Sequence, residues 1–282
     1  EAFNKKIIAA SPTVYDMAAY PKTLSGKTVA TYVNTHTDLS DELYREGKLV
    51  SDNYKNILRS QTNAAAIPAE VTVRYGVTVR RANLRNLPTG EGLFFYAGDR
   101  NFDALQETAL DPGEAVAILH TSTNGYFYYV QAYNYRGWLS KFDVAETDRS
   151  IWLRYAEPKN FLTVVAKDYT LKADGAQVLF QQGARLQLAD KKASAYTVKV
   201  PVRTKEGKLQ EEKVVLAANA SLHEGYLPYT TNNIIRSAFK FYDSVYGWGG
   251  LQQSVDCSSF ISNAYRTVGI FLPRNADEQE TS

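Results

Sequence analysis

The residues with the clearest potential for chemistry lie near the end of the chain, in three short motifs. They are Tyr246-Gly-Trp-Gly-Gly250, Asp256-Cys-Ser-Ser259 and Leu272-Pro-Arg274. The middle motif holds the only cysteine, Cys257, where a glycine-rich turn is predicted to run into an amphipathic helix. The unpaired N–H groups and the macrodipole of a helix N-terminus stabilise a thiolate, the nucleophilic form of cysteine. We therefore predict that Cys257 is a catalytic nucleophile.

The ordinary alternative for a single cysteine is a small buried hydrophobic residue. A thiolate can attack a carbonyl carbon, and the backbone N–H of Cys257 or Ser258 would then face the developing oxyanion. Asp256 is a candidate to pair with a positive group on a substrate. Ser258 and Ser259 are candidates to donate hydrogen bonds to a carboxylate.

Two predicted helices flank the glycine-rich motif. The first is predicted to begin after Thr230 or Thr231, since either can cap a helix. Its predicted buried stripe consists of Ile234, Ile235, Ala238, Phe239 and Tyr242. Cys257 is predicted to open the second helix, which ends at Gly269 as a C-cap. Its predicted inward face consists of Ile261, Ala264, Tyr265 and Val268.

Two β-rich regions precede these helices. From Val71 to about residue 148, apolar residues alternate with polar ones and turn signals separate short segments, which predicts a small β-barrel. Strand candidates from about Phe161 to Ala218, with a hairpin turn at 205–208, predict a second barrel. Residues 1–70 are predicted to form a helical and irregular arm, with helix caps at Ser40 and Ser51.

Four segments of the first β-rich region resemble a bacterial SH3-like module of the kind found in cell-wall hydrolases. They are Ala82-Asn-Leu-Arg-Asn-Leu-Pro-Thr89, Phe102-Asp-Ala-Leu-Gln106, Asp111-Pro-Gly-Glu114 and Arg136-Gly-Trp-Leu139. The order of helix, glycine-rich motif, Asp-Cys-Ser-Ser, helix and Leu-Pro-Arg resembles the N-terminal half of the NlpC-type, papain-like cysteine peptidases. Members of that family hydrolyse bacterial cell-wall peptides.

The two resemblances together imply an α+β multidomain fold. Its predicted parts are a stabilising arm (1–70), two SH3-like barrels (71–148 and 149–225) and the first helices of a papain-like NlpC-type domain (226–282).

The resemblance also implies roles for single residues near the cysteine. Cys257 matches the family nucleophile, and Tyr246 matches a tyrosine beside it that can assist the oxyanion. Asp256 and Ser258 match positions that help to hold the free N-terminal amine of a stem peptide. Trp248 is a further candidate for substrate binding.

Two tyrosines of the first barrel and one arginine complete the candidates. Tyr126 and Tyr128 are predicted to wall the substrate groove, with a place in the barrel core as the alternative. Arg274 matches the arginine of the family's Leu-Pro-Arg, for which a structural and a catalytic role are both open.

The expected general base is a histidine several dozen residues after the nucleophile. All three histidines, His36, His120 and His223, precede Cys257 and are predicted to be surface or structural residues. Either the chain continues beyond Ser282, or it is a non-catalytic remnant. Two helices without a sheet do not bury a core of their own, which favours a missing remainder.

Composition narrows the classes of partner. With 32 basic and 30 acidic residues, the net charge of +2 gives no reason to expect nucleic acid. No apolar run approaches the roughly 18 residues that span a bilayer. A single cysteine excludes intrachain disulfides, and no metal or organic cofactor is indicated. The start at Glu1 fits a processed N-terminus, and we predict a periplasmic or extracellular, wall-associated protein.

The leading hypothesis is a murein endopeptidase that uses the Cys257 thiolate to hydrolyse the bond between γ-D-glutamate and the diamino acid of stem peptides. An N-acetylmuramoyl-L-alanine amidase, or another wall amide hydrolase on the same fold, is a second hypothesis. The third is a cell-wall-binding protein without catalytic activity.

Overall fold

The computed structural model describes residues 2–35 and 39–281. Within them the helices are α1 (Ala2–Ala10), α2 (Gly26–Asn34), α3 (Asp52–Ser60), α4 (Arg149–Ala156), α5 (Thr231–Ala238), α6 (Cys257–Arg266) and α7 (Ala276–Glu280). The strands of the first half are β1 (Thr23–Ser25), β2 (Tyr44–Arg45), β3 (Lys48–Leu49), β4 (Glu70–Thr72), β5 (Arg74–Thr78), β6 (Ala82–Arg85), β7 (Gln106–Leu110), β8 (Ala115–Thr121), β9 (Phe127–Gln131), β10 (Arg136–Ser140) and β11 (Val144–Thr147). Those of the second half are β12 (Phe161–Val164), β13 (Asp168–Ala173), β14 (Ala176–Gln181), β15 (Arg185–Lys192), β16 (Ala195–Arg203), β17 (Leu209–Ala217) and β18 (Leu222–Glu224).

The first β-rich region is an antiparallel sheet of seven strands in the order β11-β5-β8-β9-β10-β6-β7. Its end strands β11 and β7 do not pair with each other, so the predicted closed barrel is wrong and the sheet is open. Other segments cover both edges, which removes the need for closure. The β16–β17 hairpin covers β11, where Glu146 N–H donates to the Gly207 carbonyl at 2.8 Å. The loop before Cys257 covers β7.

The second β-rich region is also an open structure. Five strands form a sheet in the order β17-β16-β15-β12-β18, and β13 and β14 form a separate hairpin. Leu171 and Phe180 of that hairpin are buried in one core with Leu162, Leu186 and Val198 of the sheet. The hairpin therefore supplies the second layer of the core, and the predicted second barrel is wrong in its closure.

The N-terminal arm shares its core with the first sheet. Val29 and Val33 of α2 are buried with Tyr129 and Trp138 of the sheet and with Trp152 of α4. The arm is therefore packed on the first sheet through α2, and α4 closes the same core. His36 lies outside the described residues.

One of the two helix caps predicted in the arm is confirmed. The Ser51 hydroxyl accepts a hydrogen bond from Tyr54 N–H and begins α3. The helix predicted after Ser40 is absent, because Glu46 and Gly47 turn the chain at positive φ between β2 and β3. The predicted boundaries at residues 70, 148 and 225 stay predictions.

The helices α5 and α6 bury polar side chains and expose apolar ones. The predicted buried stripe of the first helix is wrong, since Phe239 is 67% and Tyr242 75% exposed, and Ile235 is exposed as well. In α6, Ile261 is exposed, although Ala264 and Val268 are buried as predicted.

Polar contacts explain this arrangement. The Ser237 hydroxyl hydrogen-bonds with Thr267 Oγ1 at 3.0 Å, and Gln182 donates to the Ser237 carbonyl. In α6, Asn263 and Arg266 are buried, and they donate to Gln181 of β14 and to Asp111 after β7. The polar faces therefore dock on the preceding domains. Among the described residues, no helix is both long and apolar enough to cross a membrane.

Candidate active site

The loop before Cys257 needs glycine at two positions. Gly249 and Gly250 have φ of +55° and +80°, where residues with a side chain are strained. A Cβ on Gly249 would lie 2.6 Å from Gln106 Cγ, and one on Gly250 would lie 2.8 Å from Ala109 Cβ. The Gly-Gly pair thus lets the loop backbone lie directly on β7.

Cys257 is the first residue of α6, and its side chain is exposed. Asp256 is the N-cap: its Oδ1 accepts from Ser259 N–H at 2.9 Å, and its own N–H donates to Ser259 Oγ at 2.9 Å. This reciprocal pair is a capping box, which fixes the start of the helix. The predicted helix start is confirmed, and the thiol lies at the positive end of the helix dipole.

Tyr246 lies beside the thiol. Tyr246 and Val255 form a parallel β-bridge, and Gly247 N–H donates to the Val255 carbonyl at 2.9 Å. This bridge brings the Tyr246 side chain into hydrogen-bond contact with Cys257. Partial burial raises the pKa of Tyr246, and the negative charges of Cys257 and Asp256 raise it further. The phenol therefore stays protonated at neutral pH and can donate a hydrogen bond.

The Asp256 carboxylate is buried, with 6% of the residue exposed. Its Oδ1 accepts from Ser259 N–H and Oγ, with Ser258 Oγ at 3.4 Å, and its Oδ2 accepts from Gly249 N–H and Arg274 Nη2. Burial raises the pKa of Asp256, but the Arg274 charge and the Ser259 hydrogen bonds outweigh it and lower the pKa below its ordinary value. Five donors occupy the lone pairs of this carboxylate, which leaves little capacity for a substrate amine.

Arg274 is buried and joins the nucleophile segment to the first sheet. Its Nη2 donates to Asp256 Oδ2 at 2.5 Å, and its Nη1 donates to Ser258 Oγ at 2.7 Å. Its Nε donates to Thr108 Oγ1 at 2.7 Å, and its Nη2 also reaches the Glu107 carbonyl at 3.1 Å. These contacts favour the structural role among the two left open by the sequence. They also show that the Ser258 hydroxyl, itself buried, already has a partner.

Strand β7 and its neighbourhood support the glycine-rich loop from behind. Gln106 Nε2 donates to the Gly249 carbonyl at 2.9 Å, and Arg81 Nη2 donates to the Gly250 carbonyl at 3.2 Å. These bonds satisfy loop carbonyls that the irregular backbone leaves unpaired. The loop is therefore held by side chains of the first sheet.

The long loop between β6 and β7 supplies the exposed side of the site. Trp248 Nε1 donates to the Asp103 carbonyl at 3.0 Å, and the Phe102 ring lies 5.7 Å from Trp248 and 6.1 Å from Tyr246. All three rings are partly exposed. Sequence reasoning did not name Phe102 as a site residue, although it begins one of the SH3-like motif segments.

Asp111 connects the nucleophile helix with the first β-rich region and with β14 of the separate hairpin. Its carboxylate accepts from Arg81 Nη1 at 3.1 Å, from Gln181 N–H at 2.9 Å and from Arg266 Nη1 at 3.3 Å. Arg266, in the last turn of α6, also pairs with Glu114 at 2.5 Å. The C-terminal end of the nucleophile helix is thus anchored by a buried ionic cluster, which the sequence alone did not reveal.

The tyrosines predicted in the first barrel have contacts elsewhere. Tyr126 is exposed and packs against Phe142 and Lys141, so the alternative place in the core is wrong for it. Tyr128 is partly buried, and its hydroxyl donates to Glu146 of β11 at 2.8 Å. None of these contacts involves the loop before Cys257, and a substrate role for either tyrosine stays a prediction.

The two described histidines also lie away from the thiol. His120 Nε2 hydrogen-bonds with the Asn63 carbonyl at 3.0 Å, and burial lowers the pKa of His120. His223 Nδ1 lies 3.3 Å from the Gly225 carbonyl at the end of β18. Among residues 2–35 and 39–281, no group of three or more His, Cys, Asp or Glu residues is arranged to hold a metal ion.

Comparison with family models identifies two segments. Residues 243–282 match the model of the NlpC/P60 family, and residues 93–140 match the SH3 domain of the SH3b1 type. The chain therefore carries one segment similar to each of these two families. Both resemblances predicted from the motifs are thereby confirmed.

Two solved structures show the same fold. A novel NlpC/P60 endopeptidase from Photobacterium damselae subsp. piscicida aligns with a TM-score of 0.77 and 21% identity, over 99% of this chain and 64% of that protein. An NlpC/P60 family protein from Bacillus cereus ATCC 10987 aligns with a TM-score of 0.50 and 18% identity, over 63% of this chain and 60% of that protein. The chain thus spans about 64% of the length of the first of these. No curated protein sequence matches it.

The boundary between the two matched families runs through the site. Cys257 and Tyr246 belong to the NlpC/P60 segment, whereas Phe102 and Gln106 belong to the SH3b1 segment. The loop that precedes the thiol is therefore supported by the SH3b1-type domain.

Proposed function

We propose that this chain carries the nucleophile of a bacterial cell-wall cysteine endopeptidase. The observation that carries the proposal is an exposed thiol at the first residue of a capped helix, beside the side chain of Tyr246. The match of residues 243–282 to the NlpC/P60 family supports a hydrolase of wall peptides. The proposed substrate is the murein stem peptide, cut between γ-D-glutamate and the diamino acid.

The proposed reaction begins with attack of the Cys257 sulfur on the carbonyl carbon. The electron pair of the carbonyl moves to its oxygen, and the N–H groups of the first turn of α6 and the Tyr246 hydroxyl face that oxyanion. Collapse expels the amine of the diamino acid, which takes up a proton, and leaves a thioester on Cys257. Water then hydrolyses the thioester and regenerates the thiol.

The proton transfers need an acid–base group near the sulfur. His120 and His223 have their contacts in the sheets, so the described part of the chain does not place an imidazole beside Cys257. We assign Asp256 a positioning role, because its carboxylate is fully engaged by the helix N-terminus, the loop and Arg274. Recognition of the substrate's free amine by Asp256 and Ser258 stays a prediction.

The place of action follows from the same proposal. Stem peptides lie outside the cytoplasmic membrane, so we propose a periplasmic or extracellular, wall-associated protein. The SH3b1-type match supports this location, since the sequence resembles modules that accompany wall hydrolases.

The test is digestion of purified murein by the natural protein and by its Cys257→Ala and Cys257→Ser variants. Mass spectrometry of the soluble fragments should show new termini at γ-D-glutamate and at the diamino acid with the unmodified protein only. Release of intact stem peptides would instead identify an amidase. Equal release by the protein and by Cys257→Ala would refute a thiol mechanism.

A non-catalytic wall-binding protein is the second candidate, and the match of residues 93–140 to the SH3b1-type domain supports it. In that case the protein and Cys257→Ala should both sediment with intact murein, and neither should release fragments. A binding isotherm that is identical for the two proteins, together with no soluble product, would select this candidate.

A further inference from the structure

A cleft of about 370 Å³ lies away from Cys257, where the arm, both sheets and the segment after α6 meet. Its walls come from α1, the start of β8, the end of α4, β12, β15 and the residues around Tyr226 and Phe271. The volume is in the range of sites that hold small molecules. Neither the nucleophile nor its neighbours line it.

One wall of the cleft is a continuous series of aromatic rings. Phe161 and Tyr226 contact each other edge to face at 4.7 Å, and Tyr226 contacts Phe271 at 6.2 Å. Tyr133 continues the series, with its ring 5.4 Å from Phe271. Such a wall offers apolar ring faces and edges to the side chain of a ligand.

A cation is fixed against this wall. The Arg185 guanidinium lies 5.2 Å from the centre of the Phe271 ring, and its Nη1 donates to the Tyr226 hydroxyl at 3.3 Å. Within the described part of the chain, Arg185 forms no ion pair, whereas the nearby Arg266 pairs with two carboxylates. An oriented guanidinium without a counter-charge is suited to bind a carboxylate.

Two carboxylates line the same cleft without a cationic partner in the described residues. Asp16 is held by the N–H groups of Ala18 and Ala19, which donate to its Oδ1 at 3.0 and 3.4 Å. Glu157 follows the end of α4. A third carboxylate, Glu114, is neutralised by Arg266. Asp16 and Glu157 are therefore available for a cationic ligand group.

We propose that this cleft binds a small zwitterion, namely a free amino acid or dipeptide with an apolar side chain. Its carboxylate pairs with Arg185, its ammonium group pairs with Glu157 and Asp16, and its side chain packs on the aromatic wall. The site is separate from the proposed peptidase site and does not depend on it. A ligand there contacts several segments at once, so it stabilises their packing in proportion to its occupancy.

Calorimetry and thermal unfolding with phenylalanine and alanyl-phenylalanine test the site. We expect saturable binding and a melting temperature that rises with ligand concentration. N-acetyl-phenylalanine lacks the ammonium group and phenylalanine amide lacks the carboxylate, so each should bind at least about tenfold more weakly, the loss expected when one charged contact is removed. Equal binding of the free and blocked compounds would overturn the proposal, as would no binding at millimolar concentration.

Variants locate the binding site. Arg185→Gln and Glu157→Gln should each weaken binding by about tenfold or more, and Glu157 is exposed, so its substitution leaves the fold intact. Arg154→Gln is the matched control, because Arg154 lies on α4 outside the cleft and pairs with Glu211. It should bind like the unmodified protein, and so should Cys257→Ala. Unchanged binding by Glu157→Gln and Arg185→Gln would place the ligand elsewhere and refute the proposal.

Discussion

The two sides of Cys257 are built differently. Behind it, Asp256, Ser258 and Arg274 are buried and hydrogen-bonded to one another and to the edge of the first sheet. In front of it, Tyr246 and Trp248 are aromatic residues that remain partly exposed. We call these groups of residues the back and the front of the site.

The difference shows that one side of the site positions the thiol and the other side leaves it accessible to a substrate. The side chains of the back are buried and hydrogen-bonded to one another, so they hold the segment that carries the thiol in one position. The front keeps apolar surface available for a substrate. Substitutions in the back should therefore change the free energy of unfolding strongly, and substitutions in the front should change it little.

The largest effect is expected for Arg274→Met. The substitution leaves the Asp256 carboxylate buried without its cation, and losing one partner of a buried pair costs about 3–5 kcal/mol. Urea denaturation measures this change. Arg45→Met is the control, because the Arg45–Glu91 pair is 38% and 41% exposed and should contribute at most about 1 kcal/mol. Equal destabilisation by the two variants would contradict the distinction between back and front.

A smaller but still large effect is expected for Gly250→Ala. The new Cβ meets Ala109 Cβ and Arg81 Nη2 at 2.8 Å and occupies a strained backbone region, which together cost about 2–4 kcal/mol. Gly225→Ala is the matched control, since Gly225 has φ of +65° and no atom near the added Cβ. It should lose only the backbone contribution of about 1–2 kcal/mol. Denaturation midpoints that coincide would show that the loop does not rest on β7.

The stability that the back contributes should also depend on pH. The pKa of Asp256 is lowered in the folded state, so its stabilising contribution is complete above the ordinary pKa of 3.8. It is lost as the pH falls through the lowered pKa. The difference in unfolding free energy between the protein and Asp256→Asn should therefore shrink in acid.

Asp143, in the short segment between β10 and β11, should show a pH dependence of the opposite sign. Burial raises the pKa of Asp143, and the positive charge of Arg80 offsets only part of this increase. The ionised form of Asp143 therefore destabilises the folded state. Relative to Asp143→Asn, the unmodified protein should gain stability as the pH falls through that raised pKa. Unfolding curves between neutral pH and pH 3 measure both differences, and trends of the same sign for both variants would contradict the assignment.

The smallest effect on stability is expected in the front, for Tyr246→Phe. The hydroxyl lies at a partly exposed position, so its removal should change the free energy of unfolding by less than about 0.5 kcal/mol. If the phenol assists the oxyanion, kcat should fall by roughly tenfold or more, because a donor to the transition state is lost. Unchanged kcat with murein would remove Tyr246 from the proposed mechanism.

Local features of the site were predictable from the sequence. The change from the glycine-rich motif to a helical pattern predicts that a helix begins at Cys257, and the glycines of the motif permit a loop backbone that approaches its surroundings closely. These rules depend on residues only a few positions apart. The positions of Cys257 at the first turn and of Gly269 in the left-handed conformation follow from them.

The wrong predictions depend on distant partners. Periodicity predicted that Ile235, Phe239 and Tyr242 would be buried, but α5 and α6 dock through polar side chains instead. The residues that pair with that polar face, such as Gln182 and Asp111, lie far away in sequence. Barrel closure failed as a prediction for the same reason, because segments outside the first β-rich region cover its edges.

The ionic cluster around Asp111 has a consequence for how such chains recombine. One carboxylate joins Arg81, Arg266 and the backbone of β14, so it belongs equally to three parts of the protein. A chimaera that exchanged only the SH3b1-type domain would inherit buried arginines without their counter-ion. An exchange that preserves these contacts therefore has to include all three parts together, which is more of the chain than either matched segment.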